Sequence, residues 1–143
     1  MTNDLEDLND TYPGAGTFQF GADQASNDKQ LALVRGKSKA AMCAAASDFA
    51  DDPKSMPKVG RADIAVEWDG SPALVIRTTK VQTVTFENVT ADMARADGIE
   101  AGRDTLDAWR KLRMAEFKAE GAFTPKMELV FEHFEMVEDL KHR

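Results

Sequence analysis

The chain has 143 residues, of which 43% are hydrophobic and 30% are charged. This length suits one domain with a buried core and is too short for two domains of ordinary size. The formal net charge of −7 argues against a protein that binds nucleic acid over its whole surface. No apolar run approaches the roughly 20 residues of a membrane span, and the N-terminus lacks the pattern of a secretory signal. We therefore expect a cytoplasmic protein that does not enter a membrane.

The charges are unevenly distributed along the chain. Residues 1–28 carry six acidic residues and no basic one, whereas residues 29–80 carry nine basic and six acidic residues. Residues 81–143 carry nine basic and thirteen acidic residues. A local positive field can hold phosphate groups even on an acidic protein, so the middle segment is a candidate anion site. The alternative is that its lysines and arginines form a solvated surface.

The N-terminal third predicts an arm followed by a helix. The first 17 residues are rich in Asp, Asn and Gly, which predicts a flexible acidic arm before a single domain over residues 18–143. A helix is predicted over about residues 27–35, because residues 26–28 are Ser-Asn-Asp, a good N-cap sequence, and Gly36 suits its C-terminal end.

Most of the remaining chain has the pattern of strands. Residues 39–49 are ambiguous, since their alanines favour helix, but we favour a strand here. Residues 62–69 alternate, with Ala62, Ile64, Val66 and Trp68 on the face that we expect to be buried, and Asp69-Gly70 predicts a tight turn. Residues 73–86 are too long for one flat strand, so a bend is predicted near Thr78-Thr79. The last strand, over residues 127–137, changes phase around His133, which predicts a bulge.

Two helices are predicted between these strands, one over residues 92–96 and one over residues 105–119 with Asp104 or Thr105 as its cap. On the longer helix, Trp109 lies on the apolar face and is expected in the core. Arg113 lies on the same face, with Glu116 beside it. Arg113 is either paired with Glu116 at the edge of the packing surface or extends as a cation over a cleft.

The sequence predicts neither a metal site nor a cofactor. His133 and His142 have no second ligand at a metal-binding spacing, and the acidic residues within 48–52 are interpreted as a solvated loop. No glycine-rich phosphate loop is present. Cys43 is interpreted as a small buried hydrophobic residue, because nothing nearby in sequence would activate its thiol.

Several short motifs follow one another along the chain. They are Gly36-Lys37-Ser38-Lys39, Gly60, Ile76-Arg77-Thr78-Thr79, Phe86-Glu87-Asn88-Val89, Ala94-Arg95-Ala96-Asp97-Gly98, Trp109-Arg110 and Val130-Phe131-Glu132-His133-Phe134. Together they resemble the activating-signal-cointegrator homology (ASCH) domains of the pseudouridine-synthase-and-archaeosine-transglycosylase (PUA) like superfamily, over about residues 18–140. The resemblance implies an α+β fold, a small mixed-strand PUA-like β-barrel flanked by helices.

The resemblance also implies candidate catalytic residues. Some bacterial members look like amidohydrolases of acylated pyrimidine nucleosides, which use the lysine and threonine of a Gly-x-Lys-x-x-Thr motif and a later glutamate. Counted from Gly36, these positions fall on Ser38, Ala41 and Asp97. Lys37 or Lys39 would supply the missing ammonium only if the backbone slips by one residue. We take Lys39 and Asp97 as the catalytic candidates.

The first hypothesis is a binding module that holds RNA or a nucleotide-like ligand in a cleft between the barrel and its helices. The residues expected to bind the ligand are Lys37, Ser38, Lys39, Arg61, Arg77 and Arg113. The alternatives are a hydrolase of a modified nucleoside, a metal-assisted ribonuclease, or a member of the family that has kept the fold and lost the chemistry. Whether the protein is an enzyme remains open from the sequence.

Overall fold

The structure, a computed structural model, describes residues 4–99 and 105–142. Within these ranges helices and strands are mixed along the chain. The helices are α1 (Asp4–Thr11), α2 (Gln24–Arg35), α3 (Ala91–Ala96) and α4 (Thr105–Ala119), and the strands are β1 (Thr17–Phe18), β2 (Ala41–Ala45), β3 (Ala62–Val66), β4 (Pro72–Thr85) and β5 (Glu128–Asp139). None of the helices in the described residues is long and apolar enough to cross a membrane.

The strands form one mixed sheet in the order β1-β3-β4-β5-β2. The pairing of β1 with β3 is parallel and the other three pairings are antiparallel. The predicted α+β class with a mixed sheet is therefore confirmed. The barrel is not closed, since β1 and β2 remain the two edges of the sheet in the described part of the chain. An open seam between these edges is the main difference from the expected barrel.

The N-terminal segment, expected to be a flexible arm, forms helix α1 and packs on the sheet. Leu8 is fully buried and belongs to the same apolar cluster as Ile64 and Val75. The Tyr12 hydroxyl donates a hydrogen bond of 2.9 Å to Glu138. The acidic composition concealed a short amphipathic helix, which its tertiary contacts stabilise.

Helix α2 begins three residues before the predicted start. Its N-cap is Asp23, whose side chain accepts a hydrogen bond of 2.8 Å from the Ser26 N–H. Asn27, expected near the cap, is fully buried instead. Its amide accepts a hydrogen bond from the Phe20 N–H and donates one to the Val66 carbonyl, at 2.8 and 3.0 Å. Asn27 therefore ties the chain before α2 to the end of β3.

The strands lie where the sequence predicted them, but one bulge lies on a different strand. Residues 39–49 contain β2, as favoured, and the bend in β4 is confirmed because Thr78 pairs with Phe134 while Lys80 pairs with His133. Thr79 is thus the extra residue of a bulge. The bulge that we expected on the last strand near His133 is accommodated on β4 opposite it.

Strand β3 is buried on both faces, which the alternating pattern did not predict. Asp63 and Ala65, expected to face solvent, are 8% and 0% exposed, whereas Trp68, expected inside, is 40% exposed and lies beyond the strand. Leu8 of α1 packs with Ile64 on one face of β3, and residues of α2 share an apolar cluster with Ala65 on the other face.

Helix α4 covers one end of the sheet through Trp109, which is fully buried as predicted. The Trp109 ring centroid lies 5.2 Å from that of Phe86 and 6.0 Å from that of Phe131. The start of α4 is confirmed at Thr105, while Asp104, the other predicted cap, lies outside the described residues. This packing fixes the face of α4 that carries Arg113.

Candidate ligand-binding site

A tight turn with one left-handed residue joins the end of helix α2 to strand β2. Lys37 has a left-handed backbone with φ of 64°, and its N–H donates to the Val34 carbonyl. The N–H groups of Ser38 and Lys39 both donate to the Leu33 carbonyl, at 2.9 and 3.1 Å. This turn separates the exposed Lys37 and Ser38 from Lys39. Lys37 and Ser38 are exposed, and Lys39 is directed into the interior.

Lys39 is only 4% exposed and forms an ion pair with Asp97. Its Nζ lies 2.6 Å from Asp97 Oδ1 and donates a second hydrogen bond of 2.9 Å to the Asp97 backbone carbonyl. Gly98, with φ of 94°, follows directly, and a Cβ at this position would lie 3.3 Å from Lys39 Cβ. Glycine is therefore required here both by the backbone angle and by the close approach of the lysine.

The second carboxylate oxygen of Asp97 accepts hydrogen bonds from helix α4. Arg113 donates to Oδ2 through Nη2 at 2.7 Å and Nε at 2.9 Å, and the indole N–H of Trp109 donates to it at 2.9 Å. Trp109 and Arg113 are four residues apart, so they lie on the same face of the helix. Asp97, itself 2% exposed, joins β2, α3 and α4 through one carboxylate.

The environment sets the charge states of this cluster. Burial alone would raise the pKa of Asp97, but Lys39 and Arg113 more than offset it and hold that pKa below its usual range. Burial lowers the pKa of Lys39 by more than Asp97 raises it. The structure therefore combines an ionised carboxylate with a lysine that loses its proton more readily than an exposed lysine.

Cys43, on β2, has its Sγ 3.7 Å from Asp97 Oδ2. Burial, followed by the charge of Asp97, raises the pKa of this thiol to about 12. It is a neutral thiol at physiological pH and a poor nucleophile. Among the residues that the structure describes, no three His, Cys, Asp or Glu side chains are grouped so that they could hold a metal ion.

The cluster lies in the floor of a cleft of about 940 Å³ between α2, α4 and β2, which we call the main cleft. Apolar side chains line part of its wall, namely Phe20, Met42 and Leu112. Three cationic and four anionic side chains also line it: Lys29, Lys39 and Arg113, and Asp23, Asp97, Glu116 and Glu120. The charges of the main cleft are thus nearly balanced.

Three of the predicted site residues meet in the main cleft: Lys39, Asp97 and Arg113. Arg113 is paired with Glu116, as one of the two interpretations had it: Nη1 lies 2.8 Å from Glu116 Oε2, while Nε and Nη2 bind Asp97. The polar role of the Trp109 N–H was missed, although its spacing from Arg113 was visible in the sequence. Phe20 and Met42 were also missed, since neither carries a polar group.

The other predicted residues lie elsewhere, so the expected single cationic cleft is not what the structure has. Lys37 and Ser38 line a separate groove, because the turn after α2 leaves them on its outer side. Arg61 is paired with Asp63, at 2.8 Å, beside a cavity between the edge strands. Arg77 donates to the Gly60 carbonyl at 2.9 Å and lines neither cavity nor groove.

Comparison with known proteins identifies the family. The ASCH domain model matches residues 16–138. An ASCH domain structure from Lactobacillus crispatus JV V101 is similar, with 27% identity and a TM-score of 0.74 over 92% of this chain and 84% of that chain. A protein from Enterococcus faecalis V583 is similar too, with 25% identity and a TM-score of 0.76 over 93% and 85%. No curated protein matches significantly. The chain therefore belongs to the ASCH domain family, and its fold is consistent with the PUA-like superfamily.

Proposed function

We propose that this ASCH domain binds one nucleoside-like ligand in the main cleft. The observation that carries the proposal is the buried ion pair of Lys39 and Asp97 in the floor of that cleft. Buried ion pairs contribute little to stability compared with apolar side chains of similar volume. Ionisable groups with shifted pKa values in a cleft are, by contrast, typical of functional sites.

The balanced charge of the main cleft favours a nucleoside over the phosphate backbone of an RNA strand. Lys39 and Arg113 both have carboxylate partners, so neither offers a free positive charge to a phosphate. Phosphate contacts in nucleic-acid complexes instead come mainly from cations and N–H groups that are free to bind them. A base and a sugar, which are uncharged and rich in hydrogen-bonding groups, match this lining better.

The size and the apolar walls of the cleft support the same ligand. A volume of about 940 Å³ lies within the range of small-molecule sites. Phe20 and Leu112 provide an aromatic ring and an exposed apolar side chain, and Leu112 is 46% exposed. Flat heterocyclic bases bind in such settings through stacking and a few polar contacts. Lys39 and Arg113 would supply donors to the carbonyl groups of the base.

The first test is a titration of the protein with cytidine, uridine and adenosine, followed by NMR. We expect the indole N–H signal of Trp109 and the methyl signals of Leu112 to shift. Lys39→Met should weaken binding at least about tenfold, since a hydrogen bond from a charged donor is worth about 1.5–3 kcal/mol. Lys37→Met, an identical change on the exposed side of the same turn, should leave the affinity unchanged.

Salt distinguishes this proposal from binding of an RNA backbone. The affinity for a nucleoside should change little between about 50 and about 200 mM salt, because no counterions are released from the ligand. If no nucleoside binds, while a single-stranded oligonucleotide binds with an affinity that falls steeply over the same range, the nucleoside proposal is wrong and a strand-binding surface takes its place.

A second candidate function is hydrolysis of an N-acyl group on the bound base. The observation in its favour is that Lys39 lines the main cleft. Its burial there also lowers the pKa of its ammonium group. Once Lys39 has released its own proton, its amine can accept a proton from the water that attacks the acyl carbon and return it to the departing exocyclic amine of the base. Asp97, held in the ionised state, would orient Lys39.

The lack of a hydroxyl group at the threonine position of the Gly-x-Lys-x-x-Thr motif limits this chemistry. With Lys39 in the lysine position of the motif, the threonine position moves from Ala41 to Met42, and neither side chain has a hydroxyl group. We expect wild-type protein to release acetate from N-acetylated cytidine slowly, and Met42→Thr to raise that rate. Lys39→Met should reduce it by about 10²-fold or more. Equal rates in wild type and Lys39→Met would exclude Lys39 as the acid-base group.

A further inference from the structure

Helix α2 contributes to the wall of the main cleft a glutamine whose hydrogen bonding is incomplete. This residue, Gln30, lies three positions after Asn27 and therefore on the same side of the helix. Its Oε1 is buried and accepts no hydrogen bond within residues 4–99 and 105–142. A buried acceptor without a donor costs free energy, and such groups are uncommon in folded proteins. The Gln30 amide therefore gains from a ligand that brings a donor to it.

The exposed acceptors of the main cleft gain less from such a donor. Asp23, Glu116 and Glu120 also line the cleft, but all three are exposed. Asp23 and Glu116 already have partners within the protein. An exposed oxygen exchanges a hydrogen bond with water for one with the ligand, so the net gain in free energy is small. Gln30 Oε1 has no such bond to lose.

A donor and an aromatic ring lie in the same cleft. The ammonium group of Lys39 has three N–H groups, and two of them donate to Asp97, one to Oδ1 and one to the backbone carbonyl. Lys39 Nζ lies 5.9 Å from the centroid of the Phe20 ring. A base that packs against Phe20 is therefore close to the ammonium group of Lys39, which keeps one N–H group for it.

Phe20 is held in place by the helix that carries Gln30. The Asn27 side chain on α2 accepts a hydrogen bond of 2.8 Å from the Phe20 N–H. The Phe20 ring centroid lies 4.9 Å from that of Phe18 and 6.2 Å from that of Phe134. Helix α2 thus fixes the aromatic wall of the main cleft relative to the unpaired glutamine.

We propose that Gln30 determines specificity in the main cleft by accepting a hydrogen bond from an N–H group on the edge of the bound base. This inference rests on the proposed binding of a nucleoside. The last torsion of a glutamine side chain is broad, so rotation of the amide brings Oε1 from its buried position to the base. Lys39 donates to an acceptor on the same edge. The favoured bases therefore present a ring nitrogen or a carbonyl oxygen beside an N–H group, whereas a base with acceptors alone leaves Oε1 without a donor.

The test compares cytidine with pyrimidin-2-one riboside, which lacks the 4-amino group and has no N–H group on its base. In NMR titrations of the wild type, cytidine should bind about tenfold more tightly. Adenosine and purine riboside, which differ in the 6-amino group, test the same point for a purine. Gln30→Met should remove the preference for the amino group, whereas Gln30→Glu, which keeps an acceptor, should retain it. Gln24→Met, the same change at an exposed position of α2, should leave the preference unchanged.

Equal affinity for each nucleoside and its analogue would overturn the proposal, and this comparison needs only the wild-type protein. A preference that survives in Gln30→Met would assign the acceptor to another residue and would also overturn it. Loss of the preference in Gln30→Glu would contradict the role of Gln30 as an acceptor. Failure of every nucleoside to bind would contradict the proposed function itself, whereas binding without a preference for the amino group would contradict only the role of Gln30.

Discussion

Replacing Asp97 with alanine is expected to reduce the free energy of unfolding by about 3–5 kcal/mol, the usual cost of breaking a buried ion pair. The carboxylate accepts hydrogen bonds from Lys39, Trp109 and Arg113. Without it, two buried cations lie close together with no compensating charge. Urea denaturation, followed by tryptophan fluorescence, measures the loss.

Two further variants separate the charge effect from simple loss of packing. Asp92→Ala also removes an aspartate paired with an arginine, but that pair is exposed, so its cost should stay within about 0.5 kcal/mol. Adding Lys39→Met and Arg113→Met to Asp97→Ala removes all three charges and should recover much of the lost stability. If the triple variant is no more stable than Asp97→Ala alone, the uncompensated cations are not the cause.

The Asp97 carboxylate makes the free energy of unfolding depend on pH in acid. The folded-state pKa of Asp97 lies below its unfolded value of about 3.9. Its contribution to stability is therefore complete above that unfolded pKa and is lost as the pH falls through the folded pKa. The difference in unfolding free energy between wild type and Asp97→Asn should be constant near neutral pH and should shrink below about pH 4. A difference that grows in acid would contradict the ionised state of Asp97.

Local patterns in the sequence predicted most of the secondary structure. The turn at Asp69-Gly70, the bend at Thr78-Thr79 and the long helix over residues 105–119 all follow from short-range rules, and the structure has them. Helix α1 was missed because its stability comes from contacts of Leu8 with distant strands. Those contacts have no signature in the acidic composition of the segment.

The candidate site was predicted only in part, for a geometric reason. The sequence identified Lys39, Asp97 and Arg113 as separate candidates, but their meeting depends on one left-handed residue, Lys37, in the turn after α2. Non-glycine residues rarely adopt that conformation, so the sequence did not show that Lys39 alone, and not Lys37 or Ser38, enters the site. The positive charge of residues 29–80 likewise did not show that Arg61 and Arg77 lie outside the main cleft.

Replacing Trp109 with alanine is expected to cost about 3–5 kcal/mol of unfolding free energy. The ring is fully buried between Phe86 and Phe131, so its removal leaves a large cavity beneath α4. It also removes the indole donor from Asp97. Trp68→Ala is the matched control, because Trp68 is 40% exposed and should cost much less. Similar losses at the two positions would mean that α4 does not close the core through Trp109.

Trp109→Phe separates the two roles of this side chain. Phenylalanine retains most of the apolar contact with Phe86 and Phe131 but cannot donate to Asp97. Trp109→Phe should therefore lower the free energy of unfolding by about 1.5–3 kcal/mol, the value of a hydrogen bond to a charged group. The loss should be smaller in an Asp97→Asn background, where the acceptor is neutral. If Trp109→Phe lowers the free energy of unfolding equally in both backgrounds, the loss comes from the smaller ring and not from the hydrogen bond to Asp97.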